Sequence, residues 1–294
     1  MGSSQLSPVG ISAETFGALL ARYPNVIATV SEAKGAKPGQ KTFAELDSFR
    51  YSEAPSIFGR AGGRAMTKAD VQKLVEWKLR HGKFRPTLMK LVSSNDDQST
   101  KTLIETAVTT YRTIVVEKLA ESKGSHKLTG HVEAALAAVK DVSALKGVGP
   151  ATASLLMAVH FPKTCIFFSD EAYAWLAGGS GHSAPSKYNL KEYGDVAQGM
   201  VRLLRRLPDE YGAQDVEQVA YVLMYDEKTK LAAGGQMATE ATASAKASGM
   251  VTTPPLKSLA VKTSQGSRKR KEPPTNVALV STSNGPRRSG RLKS

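Results

Sequence analysis

The chain has a single cysteine, Cys165, so it can form no internal disulfide, no four-cysteine zinc site and no cysteine-ligated iron–sulfur cluster. Such sparse thiol usage fits a reducing compartment. No apolar run approaches the ~20 residues that a membrane-spanning helix needs. Neither a signal peptide nor a myristoylation signal is expected at the N-terminus, where Leu6 stands at the position that wants serine or threonine. Five histidines are present, and the nearest pair, His126 and His131, lies five apart in an expected loop, so no protein metal site is expected. No segment alternates apolar and polar residues as a half-buried strand does, and no internal repeat is evident.

What the chain has in excess is positive charge. Its formal net charge is +14, spread unevenly. Residues 231–294 hold eleven lysines and arginines against two glutamates, Glu240 and Glu272, so nine of the fourteen net charges lie there. A polyanion is the natural partner for such a chain, because each cation set on a phosphate releases condensed counterions. The same segment is rich in Ala, Ser, Thr, Gly and Pro, with too little apolar surface to offset the entropy of ordering it, and is expected to be disordered. Its runs Arg268-Lys269-Arg270-Lys271 and Arg287-Arg288-Ser289-Gly290-Arg291 read as nuclear-import or nucleic-acid clusters. Merely solubilising charge would not require four adjacent, mutually repelling cations.

Upstream of the tail the pattern is helical. Ser12 can cap a helix reaching Tyr23, with Phe16, Leu19 and Leu20 on one face. Thr67 and Asp70 form a capping box ahead of Val71, Leu74, Val75, Lys78 and Leu79, and the loop His81–Pro86 ends that helix. Ser99 can cap a long helix with Leu103, Ile104, Val108, Tyr111, Ile114, Val115 and Leu119 as its core stripe. Further helices are expected at Val132–Val139, Pro150–His160, Glu171–Leu176, Asp195–Leu207 and Gln214–Met224, and the class is all-α. The reading divides the chain into an N-terminal helical extension (1–42), a helical domain (43–230) and a disordered basic tail (231–294).

The stretch Asp141 to Leu156 carries the functional argument. Two helices meet across Leu145-Lys146-Gly147-Val148-Gly149-Pro150, where Gly147 and Gly149 permit positive φ and close approach of a ligand. Pro150 suits a first helical turn, since its missing N–H needs no partner there. A helix that starts on bare N–H groups is a ready phosphate site, and Lys146 adds charge beside it. An ordinary αα-hairpin would need the glycines only for turning.

The longer string, running on through Ala151, Thr152 and Ala153, resembles the helix-hairpin-helix signature of DNA repair proteins. That resemblance implies a DNA phosphate held by the amides of Gly149, Ala151 and Thr152. It also implies a monovalent cation, K or Na, shared with the carbonyls of Ser143, Leu145 and Val148. The segment Ile166 to Trp175, whose Asp170 lies nineteen residues past Ala151, is similar to the second half of the signature of helix-hairpin-helix DNA glycosylases, a loop ending in an aspartate at a helix start. The resemblance implies a two-lobed helical fold around a cleft over roughly Phe43–Thr229, with Asp170 in the catalytic place. A carboxylate there stabilises oxocarbenium character on the sugar or activates water as the N-glycosidic bond breaks. Asp170 or Ser169 can equally serve as the N-cap of the next helix.

Two departures bear on chemistry. Ala151 stands where lyase-competent members carry the lysine that forms a Schiff base, so a monofunctional glycosylase without strand nicking is expected. Ala172 stands two residues past the aspartate, where many members have histidine. A DNA or chromatin binder that kept the fold and lost the chemistry is the rival. The loop Lys83-Phe84-Arg85 lies near the place of the family's minor-groove wedge, and Phe84 is either that wedge or a cap on the core. Tyr173 and Trp175 read as core rather than base-stacking residues. The phrase Glu76 to Pro86, with the hairpin and the tail, also resembles the Amun-like group, a divergent nuclear branch of the glycosylase fold. The expected partners are therefore double-stranded DNA and, through the tail, a nuclear import receptor.

Overall fold

The computed structural model describes residues 5–60, 62–121, 127–178 and 186–227. No strand occurs among them, and the all-α expectation holds. Helix α1 (Ala13–Lys34) starts on Ser12, whose hydroxyl accepts the Thr15 N–H at 3.1 Å, and ends at Gly35 with φ +60°. It runs straight through Pro24, where the sequence reading stopped it. An interior proline costs about 3 kcal/mol. The stripe Phe16, Leu19, Tyr23, Val26 and Ile27, all buried, offsets that cost, since each such side chain contributes roughly 1.5–3 kcal/mol on burial.

This first helix belongs to the same core as the rest: Tyr23 donates to the buried Asp47 at 3.0 Å, and Arg22 pairs with Asp226 at 2.7 and 2.8 Å. Helix α1, within the 1–42 segment, therefore packs on the following helices. Asp47 lies in α2 (Phe43–Ser48), which begins on a Thr42–Glu45 capping box. A π-helical turn, Phe49–Glu53, joins it to α3 (Ala54–Phe58) and sets both Arg50 and Tyr51 inward, where they meet Glu217. None of this run was anticipated, because its pieces are too short to display a helical stripe.

The Thr67–Asp70 capping box forms as read and opens α4 (Lys68–His81), which buries Val71, Leu74, Val75 and Trp77. After the short α5 (Leu88–Ser93) comes α6 (Asp97–Glu121). Its first turn is held by Asp96, whose carboxylate accepts the N–H of Ser99 at 2.8 Å, so the cap is Asp96 and not Ser99. Helix α7 (Lys127–Val142) leads into the hairpin, and α8 (Pro150–His160) leaves it within the bounds expected. Helix α9 (Asp170–Leu176) is followed by α10 (Leu190–Leu204), which begins five residues before the expected start because Asn189 and Glu192 form an unread capping box. The last helix, α11, spans 213–227.

Helix α8 is the axis of the core. Every residue from Ala151 to His160 is buried, with α3, α4, α7 and α10 packed around it. A helix that is apolar all round must be wrapped in this way. Its N-terminal end is where it reaches the surface, at the exposed Gly149.

Candidate functional site

The hairpin between α7 and α8 is a tight turn, with the Val148 N–H donating to the Leu145 carbonyl at 3.0 Å. Gly147 has φ +76°, and a Cβ there would lie 2.7 Å from Cβ of Leu91. Both conformation and packing therefore require glycine. Gly149 differs from expectation: its φ is −90°, which any residue adopts, and a Cβ would meet nothing within 4 Å. What its missing side chain does is leave the end of α8 bare.

No side chain caps α8. The N–H groups of Thr152 and Ala153 turn back to the Gly149 carbonyl at 2.8 and 2.9 Å. Thr152 is thus already satisfied and drops out of the three amides expected on a phosphate. Those of Gly149 and Ala151 have no partner among the described residues. At the side-chain level Lys146 and Gly149 are exposed and Gly147 half-buried, whereas Val148, Ala151 and Thr152 are buried and support the turn from beneath. Of the three carbonyls expected at a cation, that of Leu145 already accepts from Val148. No cluster of metal-ligating side chains occurs among the described residues.

Asp170 is not the cap of α9. That role falls to Ser169, whose hydroxyl accepts the Ala172 N–H at 3.0 Å. The Asp170 carboxylate is therefore available to a small open cleft of about 30 Å³, whose walls include Lys78, Lys83, Arg85 and Tyr188 over a floor of Phe167 and Phe168. Tyr188 donates a short hydrogen bond to it, and the ammonium of Lys83 lies 3.8 Å away. The backbone of Tyr188 sits at φ +54°, a conformation that costs a bulky residue roughly 1–3 kcal/mol and persists only where the surroundings impose it. Burial and the adjacent carboxylate hold the Tyr188 phenol protonated, well above its ordinary range. The Arg85 guanidinium lies over the Tyr188 ring, 5.3 Å from its centroid.

Lys78 contributes the cleft's inner cation. Burial, and then repulsion from Arg85, pull its ammonium down to about 8 against the opposing pull of Asp170. Behind the cleft, His81 faces Glu171 at 3.4 Å, close enough for an ion pair but misaligned for a hydrogen bond.

The bare helix end and the cleft are built as one piece. Ser154 donates from its hydroxyl to the Ala151 carbonyl at 3.3 Å and accepts the Phe168 N–H at 2.9 Å. Glu217 accepts the neighbouring Phe167 N–H at 2.7 Å. The segment that delivers Asp170 is thereby pinned by buried side chains to the first turns of α8, through Ser154, and to α11, through Glu217.

Phe84 is 74% exposed at the tip of the loop after α4, so it does not cap the core. Tyr173 and Trp175 do pack on the core as read, and the Trp175 indole donates to the Leu6 carbonyl at 2.9 Å. Lys78, Tyr188 and Asn95, which braces the hairpin, went unread as site residues. Lys78 reads as one more helical position, and nothing local marks Tyr188 or Asn95 as partners of distant segments. The cluster Arg268–Lys271, expected to act in nuclear localisation, lies outside the described residues, as does the rest of the 231–294 tail. No family model, no curated protein and no solved structure matches this chain.

Proposed function

We propose that this chain binds double-stranded DNA through the α7–α8 hairpin and acts at Asp170 as an N-glycosylase of the base-excision type. One observation carries the reading: the fully buried α8 ends at the surface without a cap, offering the Gly149 and Ala151 N–H groups, and is pinned through Ser154 to the segment bearing a carboxylate in a cleft. A free helix N-terminus favours phosphate through both its donors and its dipole. Lys83, Arg85 and Lys146 supply cations for the flanking backbone, contacts that position a duplex without reading its sequence.

In the cleft, Asp170 faces the sugar of a nucleotide drawn out of the stack and stabilises positive charge at C1′ as the base departs. Tyr188 and Lys83 fix its orientation. Phe84, projecting from the loop beside Lys83, fills the space left in the duplex. Ala151 offers no amine at the hairpin, so water is the nucleophile for base release. The resemblance to helix-hairpin-helix glycosylases supports the reading and brings with it the expectation of two lobes about the cleft. The basic tail, with Arg268–Lys271, then serves nuclear import, and a monovalent cation at the Ser143, Leu145 and Val148 carbonyls completes the hairpin.

A DNA or chromatin binder without chemistry is the second reading, and one observation favours it. Lys78, Lys83 and Arg85 crowd the carboxylate with positive charge, which opposes a cationic transition state. The two readings separate when the full chain and Asp170→Asn are incubated with duplexes bearing alkylated, deaminated or oxidised bases, then treated with hot alkali. Abasic sites made by the parent and not by the variant support the enzyme. Background cleavage by both, with duplex binding intact, leaves the binder.

A further inference from the structure

We propose that the cavity at the C-terminal end of α8 binds a small aromatic acid whose ring carries an O–H or N–H donor, with that donor on His160 and the carboxylate on Arg112. The hairpin lies at the other end of this eleven-residue helix, about 16 Å away along its axis. No residue lines both this cavity and the Asp170 cleft. The site is therefore separate from the one assigned to DNA, and neither depends on the other.

The cavity holds about 370 Å³, within the roughly 300–1,000 Å³ range of small-molecule pockets, and lies between the segment after α3 and one face of α6. Its buried walls are Phe58, Met66, Ile104 and Val108, and the one polar residue buried among them is His160, only 5% exposed. Its Nδ1 donates to the Leu156 carbonyl at 2.8 Å, so the neutral ring carries its lone pair on Nε2, which has no hydrogen-bond partner among the described residues. Burial keeps that ring neutral down to about 4. A polar group so buried is rarely left unpaired, and an acceptor on an apolar floor selects a ligand by its donor. The Phe58 ring, 5.8 Å from that of His160, gives the floor an aromatic face for a flat ligand.

Arg112 sets the charge available at the mouth. Arg64 is already engaged by Asp70, at 2.6 and 2.8 Å. Arg112 has no carboxylate partner among the described residues; its guanidinium lies 5.7 Å from the Phe161 ring centroid and close enough to His160 to oppose protonation there. Glu105 stands two turns earlier on α6, about 10 Å along the axis, and pairs with neither arginine. An unpaired guanidinium at the rim of an apolar pocket suits a carboxylate, whose two oxygens match its paired N–H groups.

The test titrates the full chain at pH 7 with 4-hydroxyphenylacetate and indole-3-acetate by calorimetry, while the side-chain nitrogen spectrum of histidine-labelled protein reports where they sit. At least one is expected to bind with a dissociation constant below about 1 mM. It should also move the Nε2 resonance assigned to His160 by its loss in His160→Gln. Phenylacetate, without the donor, and 4-methylphenol, without the acid, should each bind about 10-fold more weakly. Arg112→Gln changes an exposed position and should keep the fold, weaken the acids about 10-fold and leave 4-methylphenol unaffected. Should that variant misfold, the ligand series on the parent chain decides alone. No binding by either acid overturns the proposal, as does binding that leaves the His160 resonance in place. Phenylacetate bound as tightly as its hydroxylated counterpart means that His160 selects no donor, and tyramine bound more tightly than the acids makes the ligand a cation; either result overturns the class proposed.

Discussion

The side-chain amide of Asn95 grips the main chain of Lys146 from both sides: its Oδ1 accepts the Lys146 N–H and its Nδ2 donates to the Lys146 carbonyl, each at 2.9 Å. A third bond, to the Val92 carbonyl at 3.0 Å, anchors the same amide to the end of α5. The hairpin is thus held from outside by a residue fifty-one positions earlier in the chain. Asn95→Ala removes all three bonds and leaves the Lys146 amide to solvent, at a cost of about 1–3 kcal/mol. Hydrogen exchange over residues 143–149 is expected to quicken, and duplex affinity to fall, while helical circular dichroism stays. Unchanged exchange there would mean that the turn is rigid on its own.

The two hairpin glycines are expected to behave in opposite ways. Gly147→Ala forces a Cβ into positive φ and against Leu91, and should destabilise the fold by roughly 1–3 kcal/mol from conformation and overpacking together. Gly149→Ala meets neither obstacle, so its stability should lie within ~0.5 kcal/mol of the parent. On the proposed reading the added methyl takes up open space at this helix end that a bound phosphate would approach, so duplex binding at fixed salt should weaken. Denaturant titration paired with gel shift reads both effects. A Gly149→Ala protein that binds as well as the parent would move the DNA contact away from this helix end.

Much of the scaffold was legible because it rests on local signals. The Thr67–Asp70 box and the glycine–proline entry to α8 fixed two helix starts by backbone chemistry within four residues. Where burial overrode local preference, as at Pro24, the reading stopped short. The π turn that sends Arg50 and Tyr51 to Glu217 has no periodic signature at all. In the site, Asp170 was found through its place in a motif. Its surroundings were not, since Lys78 from α4 and Tyr188 from just before the α10 cap converge on it unread, and Lys83, read as a DNA-contacting loop residue, was not expected beside it. Convergence of that kind is decided by packing, which leaves no trace at any one position.

His160, at the buried end of α8, makes stability depend on pH. Burial pulls its imidazole down to about 4 from 6.5 in an unfolded chain, and Nδ1 donates to the Leu156 carbonyl at 2.8 Å. Between those values the unfolded chain takes up a proton that the folded chain refuses, so stability rises with pH across the window. The contribution is complete above about pH 6.5 and is lost as pH falls toward 4, by roughly 3 kcal/mol at most. His160→Gln, whose amide stays neutral, should flatten this limb. Denaturation midpoints of parent and variant at pH 7 and pH 5 provide the comparison, and equal slopes would remove His160 as the cause.

Phe84 offers the sharpest separation between folding and function, because so exposed a ring contributes little to stability. Replacing it with alanine should change the unfolding free energy by no more than ~0.5 kcal/mol, the ordinary range for a surface position. A large aromatic at a loop tip, flanked by Lys83 and Arg85, otherwise carries only a solvation cost. Insertion into a base stack would compensate for that cost, since unstacking one step in exchange for a bent duplex is how apolar wedges act in the minor groove. A duplex carrying 2-aminopurine beside an abasic site reports the step directly: the parent should raise its fluorescence on binding, and Phe84→Ala should bind with little rise. An equal rise from both proteins would place the distortion elsewhere, and Phe84 would then be an exposed ring without a role at the duplex.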